Sequence, residues 1–484
     1  MTDPKVLLSC EDLSFRYGSK QEPVFSGFSL AVAQGETVLL MGPSGCGKSS
    51  LAYCLAGLYP AYAGELTGKI VLDGKPLENY STAERAQTVS ILFQNPDNQF
   101  CMDRVDHEIL FALENIHYQG DMDARVNELL ELVGLRSIKT AMIHTLSGGT
   151  KQKLALATAM ATGAKLLILD EPFANLDPES CLQIAEKLRQ LNAQGLTLLV
   201  VDHRPEYWRG FLSRVLLMNK HGAPLCLQSA DLDAHRADFA DRGLFLDDSW
   251  LQGHCPLPLA PDAEAIVEAK DLTLYHGKQR FLSGLSFELP RGSITALVGR
   301  NGSGKSTLLT AIAGVGKYSG SLSVRGRVGL VFQNPRFQFL TLTVEKEVAA
   351  TLQVIHPKAT EKQLAEMSDR LLEEFDMLSY RNASPYALSQ GQQRRLALLA
   401  MLAGDRPVLL LDEPTYAQDE RSTRFILELL NRRVAQGLTA VIATHDLELA
   451  RACANQLLLL EDDVLKRLTP AEFEAYALQR RAEL

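Results

Sequence analysis

The chain has 484 residues, 46% of them hydrophobic and 22% charged, with a formal net charge of −9. That length exceeds one ordinary core and predicts at least two globular domains, and the acidic balance argues against wrapping nucleic acid over a basic surface. No run of eighteen or more apolar residues occurs, and the N-terminus lacks a basic start followed by a long apolar core, so neither a membrane-spanning helix nor a signal peptide is expected.

The first half is expected to run over residues 6–246. Its apolar run 37–41 reads as a buried strand. Gly42-Pro43-Ser44-Gly45-Cys46-Gly47-Lys48-Ser49 follows, and a helical run opens at Ser50. Strand, glycine-rich loop and helix is the setting of a phosphate-binding loop. Its backbone N–H groups and the helix N-terminus face phosphate oxygens, with Lys48 reaching the phosphates and Ser49 placed for Mg²⁺. The bland alternative is a chance glycine-rich turn.

Further on stands Leu146-Ser147-Gly148-Gly149-Thr150, opening a long helix. Serine hydroxyl and glycine N–H groups there form an anion site or simply an N-cap. The apolar run 166–169 ends in Asp170-Glu171. A buried strand delivers such carboxylates to the edge where ligands sit in open α/β sheets. Asp170 suits Mg²⁺, and Glu171 suits a base orienting water; solvated strand-end acids are the alternative. His203 follows the strand 198–202.

Residues 223–262 lose this pattern and are acidic. The reading is a last helix to about 246, then a linker, 247–264. The second half, 265–484, repeats the first. Gly299-Arg300-Asn301-Gly302-Ser303-Gly304-Lys305-Ser306 precedes a helix that opens at Thr307. Leu388-Ser389-Gln390-Gly391-Gln392, Asp412-Glu413 and His445 follow, and Leu146/Leu388, Asp170/Asp412 and His203/His445 keep one constant offset. This is domain duplication. The interval before Gln333 is shorter than that before Gln94, which predicts a trimmed β-arm in the second half. The eight cysteines show no metal-ligand spacing and read as reduced thiols.

Taken in order, these motifs resemble the ATP-binding cassette (ABC) ATPases, once per half. The resemblance implies an α/β fold of two P-loop cassettes. Each would have a mainly parallel sheet with flanking helices, a small antiparallel β-subdomain and a helical subdomain. It implies ATP bound at residues 42–50 and 299–307, Q-loop glutamines Gln94 and Gln333, and Mg²⁺ held by Ser49, Gln94 and Asp170 or by Ser306, Gln333 and Asp412. Glu171 and Glu413 become catalytic bases, His203 and His445 switch histidines, and Asp177 and Asp419 D-loop aspartates. Tyr17 and Tyr275 match the adenine-stacking aromatic, with a core tyrosine as the alternative. The family's head-to-tail pairing would put Ser389, Gly391 and Gln392 opposite Lys48, and Ser147, Gly149 and Thr150 opposite Lys305. The sequence departs from the family at Thr150, at Gln390 and in the second D-loop but keeps every catalytic carboxylate, phosphate lysine and histidine, so two hydrolysing sites, equal or unequal, are expected.

Gln94-Asn95-Pro96-Asp97-Asn98-Gln99-Phe100 resembles energy-coupling factor (ECF) and cobalt importers, and the Asp412–Asp419 stretch resembles fused ECF ATPases labelled hydroxymethylpyrimidine/thiamine importers. This implies a transmembrane coupling subunit and a small substrate-binding membrane protein as partners. It also implies peripheral attachment to the cytoplasmic face of the inner membrane, and no nucleic acid. A tandem sugar-importer ATPase and a soluble ribosome-associated tandem protein are the rivals. Phe100, Phe337 and Phe339, after the Q-loop glutamines, are expected to line a groove for partner helices or else to pack under the helical subdomain.

Overall fold

Five-residue strands with every residue buried organise each half: Thr37–Met41 and Leu166–Asp170 in the first, Ile294–Val298 and Val408–Asp412 in the second. Strands buried on both faces require cover on both, as in a parallel sheet flanked by other layers. The computed structural model describes residues 5–483 except 19–21, 62, 174–175, 220, 222, 252–255, 257, 260–262, 278, 301, 405 and 416–417. The chain divides into two units, Met1–Asp247 and Asp248–Leu484.

In the first unit a six-stranded sheet runs Leu225–Gln228, Arg214–Leu217, Thr37–Met41, Thr197–Val201, Leu166–Asp170, Val89–Leu92. Neighbours are parallel except at the Leu225–Gln228 edge. Alternation along each strand feeds two cores. Val38, Leu40, Ile168 and Leu199 pack with Leu8, Phe28 and Leu51. Leu39, Met41, Leu167 and Val200 instead pack with Leu156, Ile184 and Leu188 of the helices Gly148–Ala161 and Pro178–Ala193. A four-stranded antiparallel sheet, Phe25–Ala33, Val6–Arg16, Glu65–Leu72 and Lys75–Pro76, covers the first core.

The helices Val105–Asn115, Met122–Leu132 and Gly148–Ala161 form a helical subdomain around Ile109, Leu113, Val126, Leu130 and Leu154. Asp121 starts the second of these by accepting the Ala124 N–H at 3.0 Å.

The second unit repeats the order: Val328–Val331, Val408–Asp412, Thr439–Thr444, Ile294–Val298, Gln456–Glu461, Val464–Leu468, with the last strand antiparallel. Its antiparallel sheet has three strands, Gln279–Pro290, Ala265–His276 and Tyr318–Val324. Among the described residues it lacks counterparts of Lys75–Pro76 and of the helix Thr82–Thr88, the trimmed arm that the shorter interval predicted.

The segment expected to be linker is partly structural. Trp250 and Leu251 pack on the core of the second unit, and the Arg424 guanidinium lies 5.5 Å from the Trp250 ring centroid. The segment expected to be a last helix of the first unit is a 3₁₀ stretch, Ser229–His235, and a short helix, Arg236–Asp241. Its Leu232 and Phe239, with Leu244 and Leu246, pack around fully buried Trp208. Trp208 stacks on Phe173 at 4.7 Å and donates to Asp202 Oδ2 at 3.0 Å. Trp208→Ala is expected to destabilise the first unit by about 3–5 kcal/mol, from lost burial and the cavity left behind. Chemical denaturation should then show an early transition from the first unit, and a single unshifted transition would contradict this.

Candidate functional site

Each unit brings a loop, two carboxylates and a histidine to the C-terminal edge of its parallel strands. In the first unit the strand Thr37–Met41 runs into the loop, and the helix Lys48–Leu55 leaves it. Gly47 caps this helix at φ 100°, and a Cβ there would stand 2.8 Å from Val24 Cγ1. Gly304 repeats this at φ 103°, 2.6 Å from Leu282 Cδ1. Both the conformation and the close approach call for glycine. The loop is closed by its lysine: Lys48 Nζ donates to Gly42 O at 2.7 Å and Pro43 O at 3.2 Å. Lys305 Nζ donates to Gly299 O at 2.7 Å and Arg300 O at 3.1 Å. Both lysines are buried, so their ammonium charges face the loop rather than bulk water. Asn301 lies outside the described residues.

Asp170 ends its strand fully buried. Burial and the neighbouring Glu171 push its pKa up to about 7 against the pull of Ser49 and Lys48. Ser49 is close enough to lower it, yet neither Asp170 oxygen has a completed hydrogen bond among the described residues. A buried carboxylate beside a serine hydroxyl, both oxygens unsatisfied, is a donor set that fits a hard divalent cation. Asp412 stands beside Ser306, its carboxyl pushed up to about 6, chiefly by burial.

Glu171 and Glu413 adopt left-handed backbone, φ 51° and 48°, a costly conformation for a side chain of this size. It turns the chain sharply after the strand. The Glu171 N–H donates to Val201 O at 2.8 Å and the Glu413 N–H to Ala443 O at 2.9 Å, tying each turn to the adjacent strand. That strand also delivers the histidine. His203 Nε2 lies 3.2 Å from Glu171 Oε1, and His445 Nδ1 lies 3.0 Å from Glu413 Oε1. Burial pushes the Glu171 carboxyl up, but the His203 hydrogen bond and charge, with Gln94 and Lys48, hold it below the usual range. Glu413 is likewise held down against burial by His445 and Lys305. Burial opposes protonation of His445, and the Glu413 charge reverses this and raises its pKa. The arrangement thus separates a carboxyl raised toward neutrality from an adjacent one kept ionised beside a histidine.

Ser147 and Ser389, of the family's signature motif, are helix N-caps in the structure. The Thr150 N–H donates to Ser147 Oγ at 3.3 Å, and the Thr150 and Ser147 hydroxyls pair at 2.8 Å. Ser389 makes a capping box with Gln392. Gly149 and Gly391 lie in the first turns of these helices. Asp177 and Asp419 also cap helices, accepting the Ser180 N–H at 2.9 Å and the Ser422 N–H at 2.8 Å.

The tyrosines part ways. Tyr17 bonds the Ser50 hydroxyl at 2.8 Å and meets the Phe15 ring edge-on at 4.9 Å. In each unit the first strand bulges just after its aspartate, at Asp12 and Asp271, both near φ 49°. Counting from these bulges, Tyr275 stands level with Arg16, and position 276 stands level with Tyr17. Tyr275 reaches the Ser319 hydroxyl at 3.2 Å.

The expected aromatic groove also divides. Phe100 is half-buried between the helical subdomain and the core behind the sheet, and Phe339 is buried with its ring 6.0 Å from Tyr386. The packing alternative holds for both. Phe337 alone remains outward, 79% exposed, with Leu340 at 86% and Leu342 at 81% beside it in sequence.

Sequence reasoning missed one pair. Gln152 Nε2 donates to Glu171 O at 3.2 Å, and Arg394 donates to Glu413 O and, at 2.7 Å, to Gln333 O. The constant offset between the halves relates these two positions as well, and would have paired them.

Comparison with known proteins bears on the whole chain. Residues 25–174 and 282–416 match the family described as "ABC transporter". The chain is 37% identical over 498 residues, covering 94% of it and 90% of the relative, to the "Putative HMP/thiamine import ATP-binding protein YkoD" of Bacillus subtilis (strain 168). It is 31% identical to a "Putative ABC transporter ATP-binding protein" of Methanosarcina mazei, covering 93% of each. Among solved structures, one titled "RNase-L Inhibitor" aligns over 97% of this chain and 93% of that one, with TM-score 0.65 and 20% identity, a likeness of fold. No described helix is long and apolar enough to cross a membrane. The chain thus belongs to the ABC transporter family, as an ATP-binding ATPase with two cassettes in one polypeptide.

Proposed function

We propose that the chain is the ATPase subunit of an ECF-type importer, driving uptake of a micronutrient through separate membrane subunits, with a thiamine precursor as the first candidate and cobalt as the second. The observation that carries this reading is the 37% identity, across nearly the whole of both chains, to a relative whose name states hydroxymethylpyrimidine/thiamine import. ATP with Mg²⁺ would occupy two composite sites. In this reading Lys48, Ser49, Ser50, Gln94, Asp170, Glu171 and His203 would form one wall of the first, with Ser389, Gly391 and Gln392 expected to close it on ATP binding. Lys305, Ser306, Thr307, Gln333, Asp412, Glu413 and His445 would form one wall of the second, with Ser147, Gly149 and Thr150 expected to close it. Mg²⁺ supplies charge neutralisation at the phosphates. Ionised Glu171 and Glu413 take the proton of the attacking water, and the histidines hold these carboxylates in place.

The partners would be a transmembrane coupling subunit and a small substrate-binding membrane protein, with the chain held peripherally on the cytoplasmic face. Phe337, Leu340 and Leu342 support a docking surface, since three large apolar side chains within one short stretch stand in water in the isolated chain. Phe337, exposed where Phe100 and Phe339 are covered, is the residue at which to test this surface. Phe337→Asp with Leu340→Asp should abolish co-purification with membranes and substrate uptake, while thermal stability and the ATPase of the isolated chain stay near normal. Retained uptake would sink the docking surface. Co-sedimentation of the wild-type chain with ribosomes, and not with membranes, would favour the ribosome-associated reading instead.

A further inference from the structure

The strained turn that aims the Glu413 carboxylate is held by a side chain from another element. Arg394 lies on the helix Gln390–Leu402, five positions after the signature serine that caps that helix. The residue is buried, 5% exposed. One end donates to the carbonyl of Glu413 and the other, at 2.7 Å, to the carbonyl of Gln333. A guanidinium is planar, permanently charged and forked, so it can fix two carbonyls at a set separation. Both carbonyls belong to residues whose side chains carry the chemistry. Holding a residue's carbonyl fixes the peptide plane beyond it, and with it the direction of a side chain on left-handed backbone such as Glu413.

The first unit is built differently at the same place. Gln152 is fully buried and donates to the Glu171 carbonyl at 3.2 Å, while its Oε1 has no partner among the described residues. A neutral amide therefore supports the first turn, and a charged fork supports the second together with the Q-loop backbone.

We propose that Arg394 is a positioning residue for ATP hydrolysis at the site built on the Lys305 loop, locking the helix Gln390–Leu402, the Glu413 turn and the Gln333 segment together. Motion of any of these three segments then reorients the other two. The first cassette has a weaker form of the device, so the two sites respond unequally.

The test uses the full-length chain carrying Glu171→Gln, so that the remaining turnover reports Glu413. Glu413→Gln on this background is the control, and persistence of turnover there would remove the reading of Glu413 and the proposal with it. Arg394→Ala should lower kcat about tenfold or more, with the KM for Mg-ATP within about twofold. Arg394→Gln, which retains one carbonyl bond as Gln152 does, should fall between alanine and wild type. Arg394→Lys should recover part of the loss. A kcat unchanged in Arg394→Ala would overturn the proposal. So would equal losses in all three variants tracking a lower melting temperature, since that pattern describes packing alone.

Discussion

Glu171→Gln combined with Glu413→Gln is expected to abolish steady-state ATP hydrolysis, by roughly a thousandfold, while ATP binding persists. Each glutamate is a buried carboxylate held ionised by a histidine at 3.2 or 3.0 Å. Glutamine keeps the volume and removes the capacity to accept a proton. The loss therefore falls on kcat rather than on binding, and ATP should be retained by the variant after rapid desalting. Each single change should slow turnover and trap ATP at its own site, because each unit carries its own carboxylates and histidine. Should Glu413→Gln leave steady-state hydrolysis and transport unchanged, the second site would be regulatory rather than hydrolytic.

Lys48→Ala and Lys305→Ala are expected to weaken nucleotide binding by about a hundredfold at their own sites. Each ammonium is buried in the loop and donates to two loop carbonyls, so it shapes the loop as well as supplying charge for phosphate. Removing it leaves those carbonyls without their donor and removes a charge-assisted contact to phosphate worth about 1.5–3 kcal/mol. Equilibrium binding of a fluorescent ATP analogue to the two single variants and the double variant measures this. A double variant that bound as tightly as wild type would mean that the lysines only brace the loop. If Lys305→Ala alone were neutral, the second site would contribute little to binding.

The sequence by itself determined the duplication, the cassette fold, the family and the sets of loop, carboxylate and histidine. These features are local. A phosphate loop needs its glycines, lysine and serine within one turn, and the carboxylates need only a buried strand leading into them, so short spacing in the chain fixes their chemistry. Tertiary structure decided what depends on distant neighbours. Phe337 and Phe339 stand two positions apart after Gln333, yet Phe339, like its counterpart Phe100, is covered by packing while Phe337 stands in water. Trp250 falls in a stretch that reads as linker, but it is claimed by the second core. The hold of Arg394 on Glu413 and Gln333 joins segments far apart in the chain, and only the packing of the signature helix against the sheet edge brings them within reach.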